Sequence, residues 1–346
     1  MLELAWLADF SLPEKMWVAF FVPLFFTTGV LLLVLRSSLV QKIISPPYYN
    51  SKRWGGLVIG FSFLLALLFF QKNFSGFLLE KDFLSLIGGV VVLLAAGVWD
   101  DIKKTSWGEQ LLFQFLAASF AVAAGDTIDH IRLPLGEVVF FPVWMSVLGA
   151  YLWIIVIINS LNWFDGVDGL GGSISSLALL FLAFLSLNPV VNQPSTALLC
   201  LLGCAVVLAA TFFNFPPAKV YLGTAGVWIV GFLISVVSLY SGGKIATTAL
   251  ILGLPIIDFL FVSTKRLLQG KKPMIGGDRL HFHESLIDKG WKPFQVTILI
   301  TFLSFFLGLG AVMTQTKGKF FLFLLLISLF LFFLPKTGKK LRWREK

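Results

Sequence analysis

Charge is scarce in this chain. Asp, Glu, Lys and Arg make up 13% of its 346 residues, about half the ~25% of an average soluble domain. That scarcity excludes a soluble globular fold. Cysteine is scarcer still: Cys200 and Cys204 stand four apart in one apolar run. This spacing puts both on one helical face, where a mutual disulfide is geometrically disfavoured. With no further soft ligands nearby for a metal, they are expected to pack as small residues against a neighbouring helix. The opening MLELAWLADFSLPEK lacks a basic n-region and a small-residue cleavage site, so a retained N-terminus is expected. No internal repeat is evident, which counts against a repeat-built transporter.

What is present is apolar. Hydrophobic residues reach 58%, with 37 Phe and 11 Trp, and mean hydropathy is +0.90. Stretches of roughly 17–25 apolar residues read as membrane spans. They predict an all-α, polytopic integral membrane bundle of about eleven helices: 17–35, 55–71, 83–99, 109–125, 143–160, 171–187, 195–213, 223–240, 245–264, 293–313 and 319–335. The chain 1–346 then reads as one transmembrane domain. Loops 36–54, 100–108, 161–170, 214–222 and 265–292, with the tail 336–346, hold 20 of the 27 Lys and Arg. By the positive-inside rule these face the cytoplasm, giving N-out and C-in. The basic tail is expected to lie on anionic lipid. The net charge of +9 then needs no nucleic-acid partner.

The polar motifs fall on the same predicted face. A carboxylate at a bilayer centre costs roughly 2.5–3.5 kcal/mol on insertion scales, so such groups near a membrane tend to be functional. In GVWDDIKKTSWGEQLLFQ, Asp100 and Asp101 are adjacent, and adjacent carboxylates repel unless a cation or proton lies between them. A solvated helix end is the plainer alternative, and Gln114 on the next helix could face the same cavity. In INSLNWFDGVDGL, Asn159, Asn162, Asp165 and Asp168 exceed what a glycine turn needs. The ligand spacing of an EF-hand is missing, whereas hard oxygens beside glycines suit Mg²⁺ held with substrate phosphates. NFPPAKVYLGTAGVWIVG brings two prolines and Lys219. The loop KRLLQGKKPMIGGDRLHFHESLIDKG holds Asp278, Arg279, His281, His283 and Glu284. Histidines two apart cannot share a helical face, so this segment is expected to be partly extended. A zinc site there would want a third His or Cys, whereas Arg and His suit phosphate. His130, in the outer loop TIDHIRLPLGEVVFFPV, reads as a solvated residue.

Together these motifs resemble the polyprenyl-phosphate N-acetylhexosamine-1-phosphate transferases, the family that includes phospho-MurNAc-pentapeptide translocase. The resemblance covers roughly residues 45–295. RWGG (53–56) looks like the end of the family's PRxGG segment, and Asp100–Asp101 its paired aspartates. NSLNWFDGVDGL matches NxxNxxDGxDGL at every fixed position. NFPPAKVYLG, PIIDFLFVSTKRLLQGKKP (255–273) and DRLHFHESL follow in the family's order. The resemblance implies Mg²⁺-dependent, or Mn²⁺-dependent, transfer of a sugar-1-phosphate from a UDP-N-acetylhexosamine to a polyprenyl phosphate, releasing UMP. That places the enzyme in the plasma membrane, in cell-envelope polysaccharide synthesis, among membrane lipids and as a candidate homodimer. By the same analogy Asp100, Asp101 and Asp168 are catalytic, and Asp101, Asn162 and Asp165 lie at the metal. Lys104, Asn159, Asn162, Asp165, Arg279, His281 and His283 would bind substrate. The absence of three consecutive histidines leans towards the N-acetylglucosamine branch.

Three positions depart from the family pattern. Thr224 stands where GDxGS carries a metal-binding Asp, with Val227 in place of the Ser. Glu284 replaces the last His of HxHH, and Gln110 stands where many members have Lys. A neutral hydroxyl is a weaker Mg²⁺ ligand than a carboxylate. Two other expectations are therefore a binding or assembly partner with altered catalysis and, from a charged pathway, a transporter.

Overall fold

The computed structural model describes residues 10–37, 53–74, 76–240, 242–273 and 280–333. The opening nine residues, most of the 36–54 loop, Asp278, Arg279 and the basic tail lie outside the described residues. The helices are α1 (Leu12–Arg36), α2 (Gly55–Asn73), α3 (Glu80–Ile102), α4 (Trp107–Ala124), α5 (Val143–Phe164), α6 (Leu170–Leu187) and α7 (Pro194–Asn214). They continue as α8 (Gly223–Leu239), α9 (Gly242–Ile251), α10 (Gly253–Leu268), α11 (Phe282–Asp288), α12 (Pro293–Met313) and α13 (Thr316–Phe333). Among the described residues, seven helices are long and apolar enough to cross a membrane, or eight if the bent pair α9–α10 is one span. The chain is thus a multi-pass helical membrane protein.

Helix α8 is the axis of the bundle. Every residue from Thr224 to Leu239 is buried, and the helix packs against α2, α3, α5 and α9. A helix apolar on all sides belongs in the interior of a bundle. Its first turn is approached closely by glycines, as small residues permit between membrane helices. A Cβ on Gly56 would run into Gly226 and Ala225, and one on Gly97 into Ala225. Large apolar side chains such as Phe25, Trp99, Phe302 and Phe321 point outward instead, as a lipid-facing surface requires.

Three sequence expectations need amendment. The single helix expected over 245–264 is two, α9 and α10, bent by 72°. Gly253 at the break lets Leu326 pack against the backbone, and Pro255 is tolerated in the first turn of α10. The all-α class gains a small antiparallel hairpin, β1 (His130–Arg132) with β2 (Val138–Phe140), in register His130 to Phe140. Pro134 and Gly136 make its turn, and the β-branched Ile131, Val138 and Val139 favour its strands. His130 is exposed there, its ring 5.6 Å from that of Phe140. Finally, the 265–292 loop holds helix at both ends: α10 runs to Leu268, and α11 begins after His281. His281 is extended (φ −72°, ψ 146°) and His283 helical, in keeping with a partly extended segment. Cys200 and Cys204 are buried free thiols, and the Cys204 thiol donates to the Ser176 carbonyl.

Candidate active site

At the C-terminal end of α3 the chain builds a polar cavity of about 530 Å³, lined by Asp100, Lys104, Asn162, Asp165, Asp168 and Thr224, among others. Helix α3 continues through Ile102, so Asp100 and Asp101 occupy its last turn and point to different partners. Asp100 is 2% exposed and accepts five hydrogen bonds. Lys104 Nζ and Thr224 Oγ1 reach Oδ2, each at 2.7 Å. Thr105 N (3.0 Å), Thr105 Oγ1 (2.7 Å) and Gln110 Nε2 (3.0 Å) reach Oδ1. The short link to α4 makes this possible. Ser106 and Glu109 form a capping box that starts α4 immediately after Thr105, as an S-x-x-E sequence does. Gln110 is thereby turned back towards Asp100.

Asp101 instead seats the N-terminus of α8. Its oxygens accept Thr224 N at 3.0 Å and Ala225 N at 3.3 Å, and Arg53 Nη1 lies 3.5 Å away. A carboxylate at a helix N-terminus satisfies orphan donors and suits the helix dipole. Gly223 makes the approach possible. Its φ is +68°, and a Cβ there would sit 2.6 Å from Asp101 Oδ2. Asp101 does not itself line the cavity.

The turn between α5 and α6 supplies the second wall. Asp165 Oδ1 accepts Gly171 N at 3.1 Å, and Asp168 Oδ2 accepts Ala218 N at 3.0 Å. Asn214 braces the turn by accepting Gly169 N (2.8 Å) while donating to the Val220 carbonyl (2.9 Å). Gly169 is left-handed, φ +77°, a conformation that glycine adopts without steric cost. Burial pushes Asp165 up to about 7; the charge of Asp168 adds to this and the Gly171 N–H opposes it. Asn162 lines the cavity. Asn159 does not, pairing with Gln114 instead (Nδ2 to Oε1, 2.6 Å) and tying α5 to α4.

The histidines stand behind this turn. A Cβ on Gly166 would collide with His283 Nε2, so the turn rests directly on that ring. His281 stacks on His283 with centroids 5.6 Å apart and 11° between planes. His281 Nδ1 lies 2.7 Å from Asp258 Oδ2, and Asp258 Oδ1 accepts Phe282 N at 2.7 Å. Asp258, buried on α10, thus sets the ring orientation of His281. In the sequence Asp258 stands out only as part of the PIID segment, because nothing there pairs it with a histidine 23 residues on. Arg266, also buried, lies over the Trp163 ring at 4.6 Å, within cation–π range.

His283 is 2% exposed, and its Nδ1 has no hydrogen-bond partner. Burial, reinforced by His281, pushes its pKa down to about 3. A histidine kept neutral when folded costs stability as pH falls below its unfolded value of ~6.5. His283→Gln should therefore lose about 2 kcal/mol less than the parent between pH 6.5 and pH 5. Chemical denaturation of the purified chain at the two pH values measures this, and equal losses would show that His283 is already charged in the fold.

Divalent metal fits only part of this site. Among the described residues no three His, Cys, Asp or Glu side chains converge on one point. Asp100 is committed to five donors, and Thr224 offers Asp100 a hydrogen bond where a carboxylate would offer charge. Asp165 and Asp168 are a better pair. Each gives one oxygen to a backbone N–H, and a cation between them would relieve the burial and repulsion that raise Asp165. Mg²⁺ commonly takes one or two carboxylates and completes its shell with water and substrate phosphate. The pair fits that pattern.

A family model for glycosyl transferase family 4 matches residues 83–242, which hold every acidic group of the cavity together with Thr224. The chain is 28% identical over 289 residues to a probable undecaprenyl-phosphate N-acetylglucosaminyl 1-phosphate transferase of Bacillus subtilis, covering 80% of this chain and 77% of that one. It is 26% identical to an undecaprenyl-phosphate alpha-N-acetylglucosaminyl 1-phosphate transferase of Thermotoga maritima (79% and 81% covered). It is 29% identical to a phospho-N-acetylmuramoyl-pentapeptide-transferase of Bacillus cytotoxicus (73% and 80%). The fold and matches together define a multi-pass membrane enzyme carrying a glycosyl transferase family 4 region. More particularly, the matched family and these relatives are phosphoglycosyl transferases, the class that the motifs resemble.

Proposed function

We propose that this enzyme transfers N-acetylglucosamine-1-phosphate from UDP-N-acetylglucosamine to undecaprenyl phosphate for cell-envelope polysaccharide synthesis. The cavity would open to the cytoplasm in an N-out, C-in plasma-membrane protein, where a soluble nucleotide donor is found. The observation that carries this reading is the meeting of Asp100, Asp165 and Asp168 with Lys104 and Arg53 around one cavity at the end of apolar helices. Such a site can hold phosphates and a cation while a lipid tail stays in the bilayer. Two of the three relatives above are named for N-acetylglucosamine, which together with the histidine pattern favours that sugar.

In the reaction, an oxygen of the acceptor phosphate bonds to the phosphorus that bears the sugar. The bond from that phosphorus to the bridging oxygen breaks, and UMP departs with the electron pair. Catalysis of this kind rests on positioning and charge stabilisation. Asp100, fixed by its five donors, is placed to orient the acceptor phosphate or take its proton. Lys104, whose side chain is 63% exposed, can turn from Asp100 to a phosphate oxygen. Asp165 and Asp168 would hold Mg²⁺, which when bound neutralises the pyrophosphate as a Lewis acid. His281, oriented by Asp258, and Arg279, outside the described residues, would hold the donor.

The nucleotide released distinguishes the alternatives. Purified chain incubated with UDP-N-acetylglucosamine, undecaprenyl phosphate and Mg²⁺ should release UMP and no UDP. Thr224 favours a second reading, a family member that binds the nucleotide sugar without turning it over. Saturable binding with no UMP release across several UDP-sugars would establish that reading in place of ours.

A further inference from the structure

The far end of the same helices holds a second cavity, of about 580 Å³, which the transfer reaction does not use. Asp82 lies in the first turn of α3, eighteen residues before Asp100, so the two cavities are roughly 27 Å apart at 1.5 Å rise per residue. Tyr240 lies there too, just past the end of α8 whose start carries Thr224. The walls comprise Asp82, Asp126, Asp129, Lys81, Gln193 and Tyr240, with others.

Two features point to a ligand-binding role. Asp126 is 8% exposed, and its Oδ2 has no hydrogen-bond partner. The Tyr240 hydroxyl in the same cavity is likewise buried and unpartnered. A buried polar group without a partner costs about 1–3 kcal/mol, and two of them around one space are better met by a molecule that fills it. The neighbouring groups are committed elsewhere. Lys81 Nζ donates to the Ala124 carbonyl at 2.8 Å, capping the end of α4. Asp129 accepts Thr127 Oγ1 at 2.6 Å. Gln193 accepts Lys244 Nζ and donates to the Tyr240 carbonyl.

Charge and size select the ligand class. Three carboxylates face one ammonium, so the cavity attracts a cation. No three acidic side chains converge as a chelate among the described residues, which disfavours a bare metal ion. The volume lies within the ~300–1,000 Å³ of small-molecule pockets. We propose that this cavity binds a small organic cation through a protonated amine, which donates to Asp126 and Asp82 while a polar acceptor on the same molecule takes the Tyr240 hydroxyl.

The test uses the full chain in detergent at pH 8, with putrescine, ethanolamine and the uncharged 1,4-butanediol as probes. Burial, with the charge of Asp82 adding to it, raises Asp126 to about 7. The ionised group is therefore unfavourable in the fold at pH 8, and unliganded Asp126→Asn should melt at or above the parent temperature, showing that it folds. The amines should raise the parent melting temperature saturably, and butanediol should not. Asp126→Asn should weaken amine binding at least tenfold and Tyr240→Phe should weaken ethanolamine binding severalfold, whereas Asp165→Asn in the other cavity should leave both unchanged. No amine shift, equal shifts in Asp126→Asn, or an equal effect of NaCl at matched ionic strength would overturn the proposal. A Ca²⁺ shift that depends on Asp126, with no amine shift, would overturn it in favour of a metal site.

Discussion

Asp100→Asn should lower the rate of UMP release by about 10²–10⁴-fold, the range for loss of a positioned acid–base group. Five donors converge on the Asp100 carboxylate from Lys104, Thr105, Gln110 and Thr224. An amide keeps one acceptor oxygen and turns two N–H donors towards groups that are themselves donors. The charge that balances Lys104 is lost, and with it the fixed orientation of the cavity wall. Disrupting such a buried hydrogen-bond set costs about 1–3 kcal/mol, small enough for the bundle to remain folded. The check is a UMP-release rate for the variant beside a thermal melt. A folded variant with an unchanged rate would remove Asp100 from the chemistry.

Thr224→Asp should make the protein's stability depend on divalent cation. The Thr224 hydroxyl donates to Asp100 Oδ2 at 2.7 Å, so a carboxylate in its place lies against another carboxylate. Two like charges 4 Å apart repel by about 4 kcal/mol at an effective dielectric of 20, unless a proton or cation intervenes. In EDTA the variant should therefore melt below the parent, and millimolar Mg²⁺ should restore most of the difference. The parent, whose Asp100 is already satisfied, should show a smaller Mg²⁺ effect. The variant's rate should also acquire a steeper Mg²⁺ dependence. Equal Mg²⁺ responses in the two proteins would mean that residue 224 does not face the cation.

These expectations show which parts of the molecule its sequence discloses. Apolar runs locate the helices because span length is set by the bilayer. They do not disclose the break at Gly253, where a single uninterrupted run becomes two helices through local backbone contacts. Asp100, Asn162, Asp165 and Asp168 were legible because a polar group beside a membrane span stands out, and the cavity does bring them together. Asp101 and Asn159 were equally conspicuous, yet one seats the N-terminus of α8 and the other pairs with Gln114. Residue type and spacing do not reveal whether a polar side chain faces a cavity or a neighbouring helix. The roles of Asp258, Asn214 and Thr105 are hidden in the sequence for a related reason. Their partners are 23, 45 and 5 residues away, and only the packed bundle shows these contacts.

In the proposed reaction the sugar moves together with a phosphate. UDP-N-acetylglucosamine labelled with ³²P at its β-phosphate tests this directly, with undecaprenyl phosphate, Mg²⁺ and the purified chain. Label should pass into the lipid fraction, the released UMP should be unlabelled, and Asp168→Asn should abolish the transfer. Label that stays in the aqueous phase while the sugar enters the lipid, or a nucleotide sugar that binds and remains intact, would contradict it.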